Sequence, residues 1–207
     1  MQAQPPQTVG DGAAERPVLM MPPDEAGAVR AAYDGAGTIL EYGCGGSTAM
    51  AAEMTGKTVF SVESDATWLG RMRRWFEANP PRADRVVLHH ADIGPTRDWG
   101  HPADESRIRR WPGYANSVWD HPGFEHPDVV LIDGRFRAAC LITVALRIVR
   151  PVLALFDDYR DRKPYHRVEE LVRPSGMIGR MARFDLEPRP VPADRLGWIA
   201  SLYLRPL

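Results

Sequence analysis

The chain has 207 residues, 44% of them hydrophobic, with 26 basic and 27 acidic side chains and a formal net charge of -1. That length and apolar content suit one well-buried domain with an insertion, and the balanced charge supplies no field to recruit nucleic acid or an anionic membrane. Cys44 and Cys140 lack a partner at metal or redox spacing, and no apolar run approaches the ~18 residues of a membrane span, so a cytoplasmic protein is expected.

Residues 1–16 are rich in Pro, Gln, Gly and Ala, without periodicity and without the basic-then-apolar order of a secretory leader; they read as disordered, leaving 17–207 as the domain. Pro22-Pro23-Asp24-Glu25 opens a helix with Ala26, Val29, Ala32 and Tyr33 on one stripe, ended by Gly35 or Gly37. Thr38 to Tyr42 is an apolar strand, Gly43-Cys44-Gly45-Gly46 a tight turn, and Ser47-Thr48 the start of an Ala- and Met-rich helix. Thr58 to Glu63 is a second strand. Trp68, Leu69, Met72, Trp75 and Phe76 then recur at helical spacing as a core stripe until Asn79-Pro80-Pro81. A third strand runs from Val86 to Asp92.

Between 94 and 127 prolines and glycines surround Trp99, Trp111, Tyr114 and Trp119, the composition of an ordered lid inserted in the domain. Asp128 to Gly134 is a fourth strand, Arg137 to about Val149 an apolar helix, and Pro151 to Asp158 a fifth strand. Tyr165, Val168, Leu171 and Val172 mark another helix. Ile178 to Leu186 and Trp198 to Leu204 read as two closing strands. The alternation predicts an α/β, Rossmann-like doubly wound sheet of seven mostly parallel strands with an antiparallel C-terminal edge strand.

In such a sheet ligands sit beyond the carboxyl ends of the strands, and here those ends carry Glu41, Glu63, Asp92, Asp133 and Asp157-Asp158. A dinucleotide would set its pyrophosphate beside Glu41, where each pair of unit charges ~5 Å apart costs about 3 kcal/mol at an effective dielectric of ~20. Thr48 also stands where G-x-G-x-x-G carries its third glycine, so a nicotinamide cofactor is disfavoured. S-adenosylmethionine has no phosphate; its ammonium and sulfonium suit an acid, and its carboxylate suits the amides at Ser47-Thr48. Glu63, about 20 residues beyond Gly43, is placed to accept from both ribose hydroxyls of either cofactor, and so supports a nucleoside without choosing between them. Trp99, shortly after Asp92, is a candidate to stack on adenine or to pack on the domain.

With these residues the chain resembles class I S-adenosylmethionine-dependent methyltransferases, through Glu41-Tyr42-Gly43-Cys44-Gly45-Gly46-Ser47-Thr48, Glu63, Ala91-Asp92-Ile93 and Ile132-Asp133-Gly134. Through Asp92-Ile-Gly-Pro-Thr, Asp98-Trp-Gly-His-Pro, Ile132-Asp-Gly-Arg-Phe-Arg and Phe156-Asp-Asp-Tyr it is similar to small bacterial methyltransferase-like proteins. The resemblance implies that Glu41, Gly43 and Gly45 hold the methionine moiety, Glu63 the ribose, and Asp92 with Ile93 the adenine edge. The expected reaction is transfer of a methyl group to an oxygen or nitrogen of a small-molecule acceptor; the balanced charge and the lack of a long apolar run point to neither nucleic acid nor membrane, and the oligomeric state, a homodimer included, is open.

Asp133, Asp157 and Asp158 are similar in placement to the acids by which the catechol O-methyltransferase family holds Mg²⁺, although that family carries Asp-Asn where this chain has Asp157-Asp158. Arg135, Arg137, Arg160 and Arg162 could neutralise the same acids or grip an acidic substrate. Asp133 is the candidate general base, and His166, just after the acidic pair, a second catalytic candidate. His89, His90, His101, His121 and His126 form no metal-type spacing with it. The reading from another class is a non-catalytic nucleoside-binding or interaction protein that keeps the fold.

Overall fold

The structure, a computed structural model, describes residues 15–207. Of the stretch expected to be disordered, 1–14 lie outside the described residues. Arg16 is placed, its guanidinium forked onto Glu53 with two bonds of 3.0 Å.

Seven strands form the main sheet: β1 (Thr38–Tyr42), β2 (Thr58–Glu63), β3 (Arg85–His90), β4 (Val129–Ile132), β5 (Val152–Phe156), β6 (Gly176–Ile178) and β7 (Met181–Leu186). Their order is β3-β2-β1-β4-β5-β7-β6, with β1 to β5 parallel and β7 antiparallel to both its neighbours. The reversal after β1, with β2 and β3 to one side and β4 and β5 to the other, opens a crevice at the carboxyl ends of β1 and β4. Successive side chains alternate between faces, so Ile39, Val59, Leu131 and Leu155 meet one layer of helices while Leu40, Phe60, Ile132 and Phe156 meet the other.

The first layer holds α1 (Pro23–Asp34) and α2 (Gly46–Ala52), through Val29, Tyr33, Met50 and Ala51. α3 (Ala66–Ala78) follows β2 and buries Leu69, Met72 and Trp75. On the second face lie α4 (Gly113–Asn116), α5 (Arg137–Arg147) and α6 (Leu196–Leu202). α5 is buried from Arg137 to Ala145, as its apolar sequence predicts. A 3₁₀ helix over Lys163–Glu170 buries Tyr165 and Val168. Among the described residues no helix is long and apolar enough to cross a membrane.

Two expectations are corrected here. Trp198 to Leu204 is not a strand: α6 turns Ile199 and Leu202 into the core beside α5, a three-residue helical spacing hidden in a short apolar run. Both closing strands come instead from 176–186, folded back at Gly179-Arg180, where Gly179 takes the positive φ of 53° that a two-residue hairpin turn favours. Residues 94–127 do not form one lid either. Thr96–Arg97 pairs with His101–Pro102 as a small separate ladder, whereas Trp111, Tyr114, Ala115 and Val118 are buried in the core on α5 and Phe136.

Candidate active site

β1 delivers the chain into the glycine turn. Gly43 has φ 111°, and a Cβ there would stand 2.8 Å from the Gly134 nitrogen, so only glycine lets the ends of β1 and β4 come this close. Gly45 differs: no atom lies within 4 Å of where its Cβ would be. At Gly46 a side chain would overlap the backbone of Val18 and Leu19, which cross the start of α2. This N-terminal strap was not foreseen, and its close approach leaves no local sign beyond the glycine itself.

Glu41 is fully buried. Oε1 accepts from the Tyr33 hydroxyl at 2.6 Å and Oε2 from Thr48 Oγ1 at 2.5 Å. Thr48 Oγ1 in turn accepts from the Gly45 amide at 3.0 Å, and since its hydrogen goes to Glu41, the Ser61 hydroxyl 3.1 Å away must donate to it. Burial raises the Glu41 pKa, and the bonds from Thr48 and Tyr33 offset part of that shift. The expected direct contact of Glu41 with a methionine ammonium is therefore corrected: both oxygens are engaged, and the acid braces the turn from behind. Ser47 is likewise buried against this group. Trp68, expected in the core stripe, donates its indole hydrogen to the Cys44 carbonyl at 2.7 Å and fixes the turn from the α3 side.

Glu63 ends β2 beside the turn. Its Oε1 accepts from the amides of Ser64 at 2.7 Å and Asp65 at 2.8 Å, and Asp65 caps α3 by accepting from Thr67 and Trp68. Burial raises the Glu63 pKa against these amide bonds and that of Cys44. The hairpin of 96–102 touches this corner, where Ser64 Oγ donates to the Gly100 carbonyl at 2.9 Å. Ile93 is buried, while Asp92 is solvent-facing, accepts from the Gly94 amide and pairs with Arg110. Trp99 does not pack on the domain: it has φ 63° and is 75% exposed, which leaves its ring open to a ligand.

At the other side of the crevice the carboxylates of Asp133, Asp157 and Asp158 offer oxygens within 4.8 Å of one another. Arginines hold them. Arg137, buried, reaches Asp133 at 3.0 Å and Asp158 at 3.5 Å and donates to the carbonyls of Asp133, Gly134 and Asp157. Arg180 forks onto Asp157 at 2.8 and 3.1 Å and reaches Asp158 at 3.0 Å; Arg162 reaches Asp158 at 2.8 Å. The Arg180 backbone amide is itself held by the buried Glu25 of α1 at 2.7 Å. Three guanidinium groups thus supply the counter-charge a divalent ion would bring, and the same oxygens would have to release them first. The three acids do not fit the expected Mg²⁺ site; they are the anionic half of an ion-pair network.

Within that network desolvation dominates at Asp133, offset by Arg137 and reinforced by Asp157 and Asp158, so its pKa is pushed up to about 6. His166 is not brought to the acids. Its ring stacks on Tyr159 at 4.8 Å, its Nε2 meets the Tyr159 carbonyl at 3.0 Å, and it lines a separate cleft with Arg160, Glu169 and Met177.

No protein-family model matches the chain, and no curated protein matches it. Among solved structures it is similar to a methyltransferase-like protein of Silicibacter pomeroyi, with 50% identity and a TM-score of 0.89 over 92% of this chain and 99% of that one. A fibrillarin pre-rRNA processing protein of Methanococcus jannaschii aligns at 12% identity and a TM-score of 0.44 over 88% of this chain and 87% of that one, too remote to carry an argument. With half of its residues identical over nearly the whole of a solved relative, and with the sheet order described above, the chain belongs to the class I S-adenosylmethionine-dependent methyltransferase superfamily, among its small methyltransferase-like proteins.

Proposed function

We propose that the protein binds S-adenosylmethionine across the β1–α2 turn and the ends of β2 and β3, and methylates an oxygen or nitrogen of a small molecule. The observation that carries this reading is Glu63: a half-buried carboxylate at the end of β2, beside the glycine turn, whose Oε1 is fixed by the amides of Ser64 and Asp65 and which has acceptor capacity left for a pair of ribose hydroxyls. The open space at Gly45 fits the same cofactor, because a ligand can approach the backbone there. Bound cofactor supplies an electrophilic methyl group on a sulfonium.

The chain's own part is positioning and proton transfer. Asp133, with a pKa of about 6, is ionised at neutral pH and is basic enough to take a proton from an acceptor hydroxyl or amine. Arg137 fixes its orientation through Asp133 Oδ1 and the neighbouring carbonyls. Trp111, Tyr114 and Phe136 pack on one another, and the Tyr114 hydroxyl accepts from the Arg135 amide, so they brace the turn that carries Asp133. No step passes through a metal. A small acceptor in the cytoplasm, without nucleic acid or membrane, completes the proposal, and the free thiols of Cys44 and Cys140 fit a reducing compartment.

Calorimetric titration of the purified protein with S-adenosylmethionine and S-adenosylhomocysteine tests the reading. A saturable heat is expected for both; no binding of either at millimolar concentration would sink it. The second reading, nucleoside binding without transfer, is favoured by one observation: Asp133, the group that would take the proton, is held in an ion pair by Arg137 at 3.0 Å. Cofactor binding with no turnover across a panel of hydroxyl and amine acceptors would support that reading instead.

A further inference from the structure

The β4–α5 connection carries three charged side chains in five residues, and two of them are spent on each other: Arg137 holds Asp133. The third, Arg135, is not. Its Nε is buried and donates to nothing among the described residues. The charged groups that most affect it are cations, Arg137 and Arg162, with Tyr114 and Tyr165 as its polar neighbours, and burial together with Arg137 lowers its pKa. Its backbone is held firmly: the Arg135 amide donates to the Tyr114 hydroxyl at 3.1 Å, its carbonyl accepts from Cys140 Sγ, and the next residue, buried Phe136, takes a left-handed φ of 51°. Non-glycine residues seldom adopt that conformation, and where they do the surroundings impose it. Trp111, packed on Phe136 at 5.6 Å, adds a second buried donor without an acceptor in its Nε1.

Buried donors almost always find a partner, and a half-buried guanidinium among other cations lacks the anion that would offset its cost. The other arginines near the acids are ruled out for this task. Arg137, Arg162 and Arg180 are already engaged by Asp133, Asp157 and Asp158, and Arg160 is exposed beside His166. The position is two residues from Asp133, at the carboxyl end of β4 where the acceptor would lie.

We infer that Arg135 is the anchor for an oxyanion carried by the methyl acceptor, so that the substrate class is small hydroxylated or amino compounds bearing a carboxylate or a phosphate. A planar fork meets two oxygens of either group. This assignment rests on the proposed methyl transfer for the word acceptor, while the anion site itself can be measured without it.

The measurement is proton–nitrogen NMR of protein labelled with ¹⁵N-arginine, following Nε–H signals at constant ionic strength. Benzoate and phenyl phosphate are titrated in, with benzamide as the neutral control, and the Arg135 signal is identified by its loss in Arg135→Lys. A saturable downfield shift of that signal is expected for one anion or both, with affinity about tenfold above benzamide. A shift with benzoate alone assigns a carboxylate, and with phenyl phosphate alone a phosphate. The inference is overturned if neither anion shifts the signal, if benzamide shifts it equally, or if Arg135→Lys and Arg135→Gln, checked for folding by circular dichroism, bind the anions as tightly as the wild type. Calorimetry with S-adenosylhomocysteine is run separately: failure there would remove the transferase reading and leave the oxyanion result standing.

Discussion

Tyr33 donates its phenolic hydrogen to Glu41 Oε1 at 2.6 Å, tying the last turn of α1 to the acid in β1. Because Thr48 holds the other oxygen, one buried carboxylate joins the first helix, the first strand and the glycine turn.

Tyr33→Phe leaves that oxygen without its donor in a fully buried site, and the expected loss is about 1–3 kcal/mol of folding stability. Thr48→Ala should cost a similar amount. The two act on one carboxylate, so urea unfolding of the double variant should depart from the sum of the singles by more than about 0.5 kcal/mol. Additive losses would mean that the turn is braced in some other way.

Glu63→Ala is expected to weaken S-adenosylhomocysteine binding about 10- to 100-fold, since two ribose hydroxyls then lose charged acceptors. Asp92→Asn, at a site already paired with Arg110 and open to solvent, should change it by less than about threefold. Calorimetry distinguishes the two; equal losses would place the adenine edge on Asp92 after all.

For Asp133 the ordinary pKa of 3.8 is raised in the folded protein to about 6. A raised folded value means that the native state binds the proton more tightly, so this group favours folding at pH values below its ordinary pKa and loses that contribution as pH rises through about 6. Activity runs the other way: kcat/KM should climb through about pH 6 as the base ionises. Asp133→Asn should remove both slopes and lower kcat by about 10²–10⁴. Parallel pH series of unfolding and of initial rate check this, and an unchanged rate profile in the variant would exclude Asp133 as the base.

Arg180→Ala takes the counter-charge from buried Asp157, and the expected cost is about 2 kcal/mol, reduced from the fully buried case because Arg180 itself reaches solvent. In the wild type, dialysis against EDTA should leave Tm and cofactor binding unchanged. Added Mg²⁺ should raise the Tm of Arg180→Ala more than that of the wild type, because only the variant frees the carboxylate oxygens. A drop in wild-type Tm on chelation would restore the three acids as a metal site.

The parts of the site that were legible beforehand are those with local signals. Gly43 and Gly45 stand at the end of an apolar strand, and Glu63 ends the next one; each is recognised from a few neighbours in the chain, and each lies at the crevice. His166 was read from proximity in sequence to Asp158, and proximity failed, because stacking on Tyr159 holds it in another cleft. Trp99, read from proximity to Asp92, is carried into solvent by a left-handed backbone instead of packing on the domain. Trp198 to Leu204 failed for a different reason, since seven mostly apolar residues satisfy a strand and a helix equally well.

The sequence by itself determined the alternation of strands and helices, the glycine turn and the acids at the strand ends, because these follow from side-chain period and backbone chemistry within a few residues. Only the tertiary structure decided what each acid does, because its partner lies far along the chain. Glu41 is enclosed by α1 and α2, Asp92 is met by Arg110 from the insertion, and Asp157 is met by Arg180, 23 residues away on the hairpin. Pairing of charges depends on distance in space and on exclusion of water, and neither is written in the spacing of residues. By the same rule Arg135, one of four neighbouring arginines in the sequence, stands apart only once the others are seen to be engaged or turned away.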